Sequence, residues 1–532
     1  MSAAPRSEPP PHTKQLPLPL DDFGSRERGP GIARQDRVFC NRNLKMSGIS
    51  WVGFDMDYTL AIYDQPAMDD LSIRATIAKL IARGYPEFIK TVPVSTQFPV
   101  RGLLIDKRFG HVLKMDRYKH VHKGYHGFRE LTKEELRALY HAKKIRPATP
   151  RYHWIDTLYA LSEVATYAAL VDAMEKKGYA VDYSRLFTDI RECIDEAHRD
   201  GTILDEVAAN LPHFVHRDPN LAPTLHKLRS SGKKLFLLTN SRWAYTEKMM
   251  TYLLGGAMAE YPTWRNFFDV VIVAATKPIF FTERRPLLER DGETLRPVTL
   301  PLERGKIYEG GNLQELERAL GVTGDEILYV GDHIYGDILR SKKDSAWRTA
   351  MIMQELETEI AAYESCKEDF ATIESLDDQR EHLEDDLRYY QARIKELTRQ
   401  IEHRTGERLE KSDRQSARDL AAMLNAADKS GLSGSVAELE ADRMRFKRAV
   451  ERIRGKLRQI EAEVSALDRR IDLRFHPYWG SLLKEGSEQS SFGKQVDDYA
   501  CLYTSRVSNF LAYSPQQSFR SPRDVMAHEI GM

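Results

Sequence analysis

Asp55 and Asp57 stand one residue apart in WVGFDMDYTL (51–60), at the end of an apolar run. Two carboxylates on a tight turn can bind a hard cation through oxygen. Alternatively one attacks as a nucleophile while the other moves a proton. An Asp attacking phosphorus gives an aspartyl-phosphate, and Mg2+ would offset the crowded negative charge. Alone, so short a pattern also fits a loop cap. Three more groups accompany it. Thr239-Asn240-Ser241 offers hydroxyls and backbone N–H groups suited to phosphate oxygens. Lys277 offers a point positive charge, although a lone Lys also fits solvated surface. GDHIYGD (331–337) adds Asp332, which could complete a metal site with Asp55, and Asp337, which could orient Lys277 or a metal-bound water. Each group is weak by itself; the four in order point to phosphoryl chemistry.

Positioning these groups takes strands. Four apolar runs end in small or polar residues: ISWVGFD (49–55), KKLFLLTN (233–240), FFDVVIVAATK (267–277) and EILYVGD (326–332). Such runs, separated by helix-like segments, are expected to be buried parallel strands of an α/β sheet. Ligands of these sheets bind at the carboxyl ends of the strands, where all four runs deliver their polar residues. The first two runs are about 180 residues apart, far more than one crossover needs. A domain inserted over 63–218 is therefore expected, capping a discontinuous core of 35–62 and 219–365.

Residues 1–34 contain seven prolines and few apolar side chains, and read as a disordered tail. Leu383, Leu387, Tyr390, Ile394, Leu397 and Ile401 step by four and three, as do Phe446, Val450, Ile453, Leu457, Ile460, Val464, Leu467 and Ile471. This heptad seam predicts a helical hairpin over 366–475 that turns near DKSGLSGS (428–435). The aromatic-rich 476–532 is expected to pack back on the core. Lys+Arg and Asp+Glu both number 79, which argues against a general nucleic-acid binder or a polybasic membrane anchor. The four cysteines form no CxxC pair, and no apolar stretch reaches about 18 residues. A soluble cytoplasmic protein is expected. His120, His122 and His126 alternate as on a strand, fitting either a metal or solvent.

The run Asp55-Met56-Asp57-Tyr58-Thr59, a strand ending in Thr239, then Lys277, then Gly331-Asp332 with Asp337 resembles the four motifs of the haloacid dehalogenase superfamily of phosphatases. GFDMDYTLAIY (53–63), GYPEF (84–88), FPVRGLLID (98–106), MTYLL (250–254) and ILYVGDHIYGDILRSKK (327–343) are similar to the cytosolic purine 5′-nucleotidase family, with a weaker echo in FGKQVDDYACLY (492–503). The resemblance implies a Rossmannoid parallel sheet with a base-recognising cap. It also implies Mg2+-dependent hydrolysis of IMP and GMP through an aspartyl-phosphate, with phosphotransfer to nucleoside acceptors as a second activity, and a homo-oligomer. In this reading Asp55 is the nucleophile and Asp57 the acid, then the base. Thr239, Asn240, Ser241 and Lys277 hold phosphoryl oxygens. Asp55, Asp57 through its carbonyl, Asp332 and Asp337 form the metal site. Carried over to FTDIRECIDEAH (187–198), Arg191 donates to a purine O6 and Asp195 accepts from N1–H, while His198 and Tyr159 sandwich the base. A surface ion pair between Arg191 and Asp195 is the alternative. Arg146 and Lys343 match effector-site positions; Leu204, Ala274, Thr276 and Asp498 depart from the family pattern. A phosphatase of another phosphomonoester, and a scaffold that uses the hairpin, are the competing functions.

Overall fold

A computed structural model describes residues 31–141, 145–339, 345–405 and 435–522. Its central sheet has ten strands. In spatial order they are Phe39–Cys40, Leu502–Thr504, Arg348–Ile352, Ile327–Gly331, Trp51–Phe54, Lys234–Leu238, Val270–Val273, Ile307–Gly310, Leu287–Asp291 and Thr294–Pro297. The seven from Leu502–Thr504 to Ile307–Gly310 run parallel. Antiparallel strands close both edges.

Alternating residues explain the unbroken apolar runs. Val52, Phe54, Leu235, Leu237, Val271 and Val330 enter the core on one face. Trp51, Phe236, Leu238, Ile272 and Tyr329 enter a second core on the other. Both faces are dry, so neither set can be polar. Gly53 leaves room for its neighbour on the adjacent strand: a Cβ there would lie 2.1 Å from the Phe236 ring.

Sequence analysis located four of the seven parallel strands. Ile307–Gly310, Arg348–Ile352 and Leu502–Thr504 complete the set, the last of them from the C-terminal segment.

Between Tyr63 and Val215 the chain leaves this sheet. Ile62–Tyr63 and Val215–His216 pair antiparallel at the exit and return. The excursion forms its own antiparallel sheet, ordered Arg129–Glu130, Val121–His126, His111–Met115, Leu104–Asp106 and Tyr152–Trp154. Helices Gln65–Ala82, Leu161–Lys176 and Tyr183–Arg199 pack with it. Asp64 caps the first helix by accepting from Ala67 N at 3.0 Å, with Pro66 in the first turn.

Helices Lys367–Thr405 and Val436–Phe475 lie antiparallel. Leu376 packs against Ile460 and Leu467, and Leu397 and Ile401 against Leu439. Ser435 and Glu438 form a capping box at the start of the second helix. The rest of the expected turn, 428–434, lies outside the described residues, as do residues 1–30 and Lys343. Among the described residues no helix is long and apolar enough to cross a membrane.

Candidate active site

The register brings four strand ends level. Phe54 pairs with Leu237 on one side and Val330 on the other. Asp55, Leu238 and Gly331 therefore form the next row, with Thr239 and Asp332 just beyond. Asp55 N donates to Val330 O at 2.9 Å, and Thr239 N donates to Ile272 O at 3.0 Å.

Lys277 is the hub. Its Nζ contacts Asp55 Oδ1 at 2.9 Å, Asp337 Oδ1 at 2.6 Å and the Tyr329 hydroxyl at 2.8 Å. Burial works against the ammonium, yet Asp337 and Asp55 more than offset it and hold its pKa well above the ordinary value. Gly331 makes room for this arrangement, since a Cβ there would stand 2.6 Å from Asp337.

Carboxylate oxygens of Asp55, Asp332 and Asp337 all lie within 4.8 Å of one another. Burial is the main cause that raises the carboxyl pKa of Asp55 well above the usual range, with Asp337, Asp332 and Asp57 adding to it against Lys277. Asp332 is pushed up to about 7 by burial and then Asp337. One ammonium is thus shared by a crowded acidic set, and a hard divalent cation fits the remaining oxygens. The Asp57 side chain lies outside that set. Its Oδ1 accepts from the Tyr63 hydroxyl at 2.6 Å and its Oδ2 from the Ser241 hydroxyl at 2.7 Å. Asp57 therefore joins a metal site through its carbonyl or not at all.

Two further side chains are occupied differently from the expectation. The Asn240 amide clamps the Lys277 main chain, donating to its carbonyl at 3.0 Å and accepting from its N–H at 2.5 Å. The Ser241 hydroxyl serves Asp57. Both side chains are therefore bonded within the site's own loops, while the Lys277 ammonium lies between Asp55 and Asp337. Ala274 and Thr276, which depart from the family pattern, take left-handed backbone at φ 47° and 57°. That turn puts Ala275 N on Thr239 O at 3.0 Å and aims Lys277 inward.

The excursion reaches the site through Tyr159, whose ring meets Tyr58 at 4.7 Å. Tyr159 and His198 touch edge-to-face at 5.5 Å and 75°, so a base enters between them only if one ring turns. Arg191 and Asp195 share a helix but are not paired with each other. Arg191 Nε lies 3.4 Å from Glu163 Oε2, and its Nη1 lies 3.5 Å from His153 Nδ1. Burial raises the Glu163 carboxyl to about 7. Asp195 is exposed. His122 and His126 lie on the strand and His120 just before it; Asp116 meets His120 and His122, and Glu175 meets His126. Arg146 is exposed, Leu204 is half-buried, and Asp498 meets Lys494 and Arg42.

Sequence analysis missed Arg101. It is buried, grips Glu355 with two bonds at 2.7 and 2.6 Å, and donates to the Asp332 carbonyl at 2.9 Å. It also missed Tyr63, Tyr245, Tyr329 and Glu163. Tyr245, Tyr329 and Glu163 meet partners distant in sequence, Tyr63, Lys277 and Arg191, whereas Tyr63 bonds Asp57 only six positions away.

Fold and site together define a hydrolase acting on phosphomonoesters. The model of the 5′ nucleotidase family matches residues 38–531, and the chain belongs to that family. A 5′-nucleotidase domain-containing protein of Dictyostelium discoideum is 26% identical over 509 residues, covering 94% of this chain and 76% of its own. The human 5′-nucleotidase domain-containing protein 2 is 31% identical over 337 residues, covering 61% of this chain and 64% of its own, just under two thirds of that relative. Among solved structures, CbbY from Rhodobacter sphaeroides in complex with phosphate overlaps at a TM-score of 0.24 and 14% identity, over 57% of this chain and 86% of its own. A 2-haloacid dehalogenase from Pseudomonas syringae overlaps at 0.22 and 16%, with the same coverage. Both overlaps are slight.

Proposed function

We propose that this protein is a Mg2+-dependent 5′-nucleotidase that hydrolyses purine nucleoside 5′-monophosphates, IMP and GMP above all. The observation that supports it most is the buried set of Asp55, Lys277, Asp332 and Asp337, with Asp57 held beside it by Tyr63 and Ser241. Asp55 attacks phosphorus, and Asp57 protonates the departing O5′. Water then attacks the aspartyl-phosphate and returns its proton to Asp57. Lys277 and Thr239 bind phosphoryl oxygens, and Lys277 also favours the charged form of Asp55 against its burial. Mg2+, held by Asp55, Asp332, Asp337 and the Asp57 carbonyl, would supply neutralisation of the phosphoryl charge. A nucleoside hydroxyl in place of water gives phosphotransfer. For the base, Arg191 and Asp195 present a donor and an acceptor to the O6 and N1–H of a 6-oxopurine.

The test is phosphate release over a panel of phosphomonoesters, with Mg2+ and with EDTA, for wild type and Asp55→Asn. Asp55→Asn is expected to lose at least about a thousandfold while keeping its fold. Turnover within about tenfold of wild type would exclude the covalent route. A panel that favours a phosphomonoester lacking a purine would sink the substrate reading and leave the chemistry standing.

A further inference from the structure

We infer that Arg101 is a positioning residue through which the excursion holds Asp332 in place as a magnesium ligand. The inference rests on the metal reading of Asp332 proposed above. Arg101 lies just before the strand Leu104–Asp106, and Asp156 just after its antiparallel partner Tyr152–Trp154. The pairing runs on past both strands: Ile155 N donates to Leu103 O at 2.9 Å, and Gly102 N donates to Ile155 O at 2.6 Å. Arg101 and Asp156 therefore leave the same end of that pair. Both meet the core loop that follows Ile327–Gly331, Arg101 at Asp332 and Asp156 at His333.

The Arg101 side chain is 2% exposed and spends three of its five donors on two adjacent strand ends. Nε and Nη2 donate to the Glu355 carboxylate at 2.7 and 2.6 Å, and Nη1 donates to the Asp332 carbonyl at 2.9 Å. Asp332 follows Ile327–Gly331, and Glu355 follows the parallel neighbour Arg348–Ile352. The last paired row of these strands is Gly331 with Met351, so beyond it the guanidinium does the joining. A planar fork fixes that separation in a way that a single ammonium does not. Asp156 holds the next residue. His333 Nδ1 accepts from Gly336 N at 3.2 Å, and Nε2 donates to Asp156 Oδ2 at 3.1 Å. Together these contacts hold the peptide that carries the Asp332 carboxylate, one of the three that converge with Asp55 and Asp337. A positive charge beside the site disfavours a cation by itself, so what Arg101 contributes is placement. Magnesium demands near-ideal octahedral geometry, and a displaced ligand weakens it steeply.

The test reads magnesium directly. Arg101→Lys keeps the charge and loses the fork. Calorimetric titration of MgCl2 into the full-length protein, after EDTA treatment and dialysis, gives Kd without turnover. Phosphate release gives the Mg2+ concentration for half-maximal rate. Arg101→Lys is expected to bind Mg2+ about 10–100-fold more weakly, to need correspondingly more Mg2+ for half-maximal rate, and to recover most of kcat at saturating Mg2+. A wild-type Kd overturns the inference, even in a variant that unfolds earlier in EDTA, because Arg101 would then brace the fold only. If Arg101→Lys does not fold, Glu355→Gln, which weakens the fork from its other side, takes its place under the same criterion. Asp332→Asn separates the two levels. If it binds Mg2+ as tightly as wild type, the metal reading fails and this inference with it. If it binds weakly while the Arg101 or Glu355 variant keeps the wild-type Kd, this inference alone fails.

Discussion

Asp332→Asn is expected to make the protein more stable in EDTA at pH 8, although it removes a site carboxylate. Burial, then Asp337, push the Asp332 carboxyl up to about 7, against the pull of Arg101, His333 and Lys277. In the unfolded chain the same group titrates near ~3.9. Between those values the folded state binds the extra proton, so stability falls as pH rises from about 4 to about 7 and stays lower above. Roughly three pK units at ~1.4 kcal/mol each set an upper figure of about 4 kcal/mol. Asn at 332 cannot titrate and carries no buried charge, so urea unfolding in EDTA should favour the variant at pH 8 and show little difference near pH 4. Mg2+ reverses the order. It needs the ionised oxygens, so it should stabilise wild type at pH 8, by about 2.7 kcal/mol at a hundredfold excess over Kd, and much less at pH 5. The variant, short of one ligand, should gain far less. A variant less stable than wild type in EDTA at pH 8, or an equal Mg2+ gain for both proteins, refutes the account.

Gly331→Ala would set a Cβ 2.6 Å from Asp337, which must then leave Lys277. We expect kcat/KM to fall about a hundredfold and chemical denaturation to show a loss of about 1–3 kcal/mol; wild-type kinetics would mean that the row of strand ends tolerates displacement. Asp195→Asn is expected to cost roughly 10–150-fold in kcat/KM on IMP and less on AMP, and equal losses would mean that Asp195 does not read the base. Replacing 372–472 by a short Gly/Ser linker should preserve Mg2+-dependent phosphate release, because Asp55, Asp57, Thr239, Lys277 and Asp332 all lie elsewhere. Light scattering on that variant reads any change of oligomeric state, and a folded but inactive protein would show that the helix pair shapes the site.

The strand ends were legible because two dry sheet faces impose long apolar runs, and each run stops where the chain turns toward the ligand edge. Ile307–Gly310, Arg348–Ile352 and Leu502–Thr504 escaped because polar residues, Lys306 and Glu309, Arg348 and Thr349, and Thr504, break any long apolar run there. At the site, residue type was legible and the partner was not. Asn240 is polar at the right place, yet both ends of its amide are spent on the Lys277 main chain. Arg101 and Tyr245 carry no local pattern at all; Arg101 meets Glu355 across 254 positions, and Tyr63 meets Tyr245 across 182. Arg191 shows the same limit. Its helical spacing to Asp195 is plain in the sequence, while its actual neighbours, Glu163 and His153, depend on how the helices cross.

The strand Leu502–Thr504 has a consequence for how the chain is made. It lies between Arg348–Ile352 and Phe39–Cys40, so Phe39–Cys40 has its sheet partner more than 460 positions further along the chain. During translation Phe39–Cys40 therefore waits, unpaired, until that later segment has been made. Until then the parallel sheet ends at Arg348–Ile352 with an open edge, the kind that templates strand addition from other chains. A chain that stops between Ile352 and Leu502 would carry every strand-end carboxylate and an uncovered edge. Such a product would be removed by aggregation and proteolysis rather than by any defect in its chemistry.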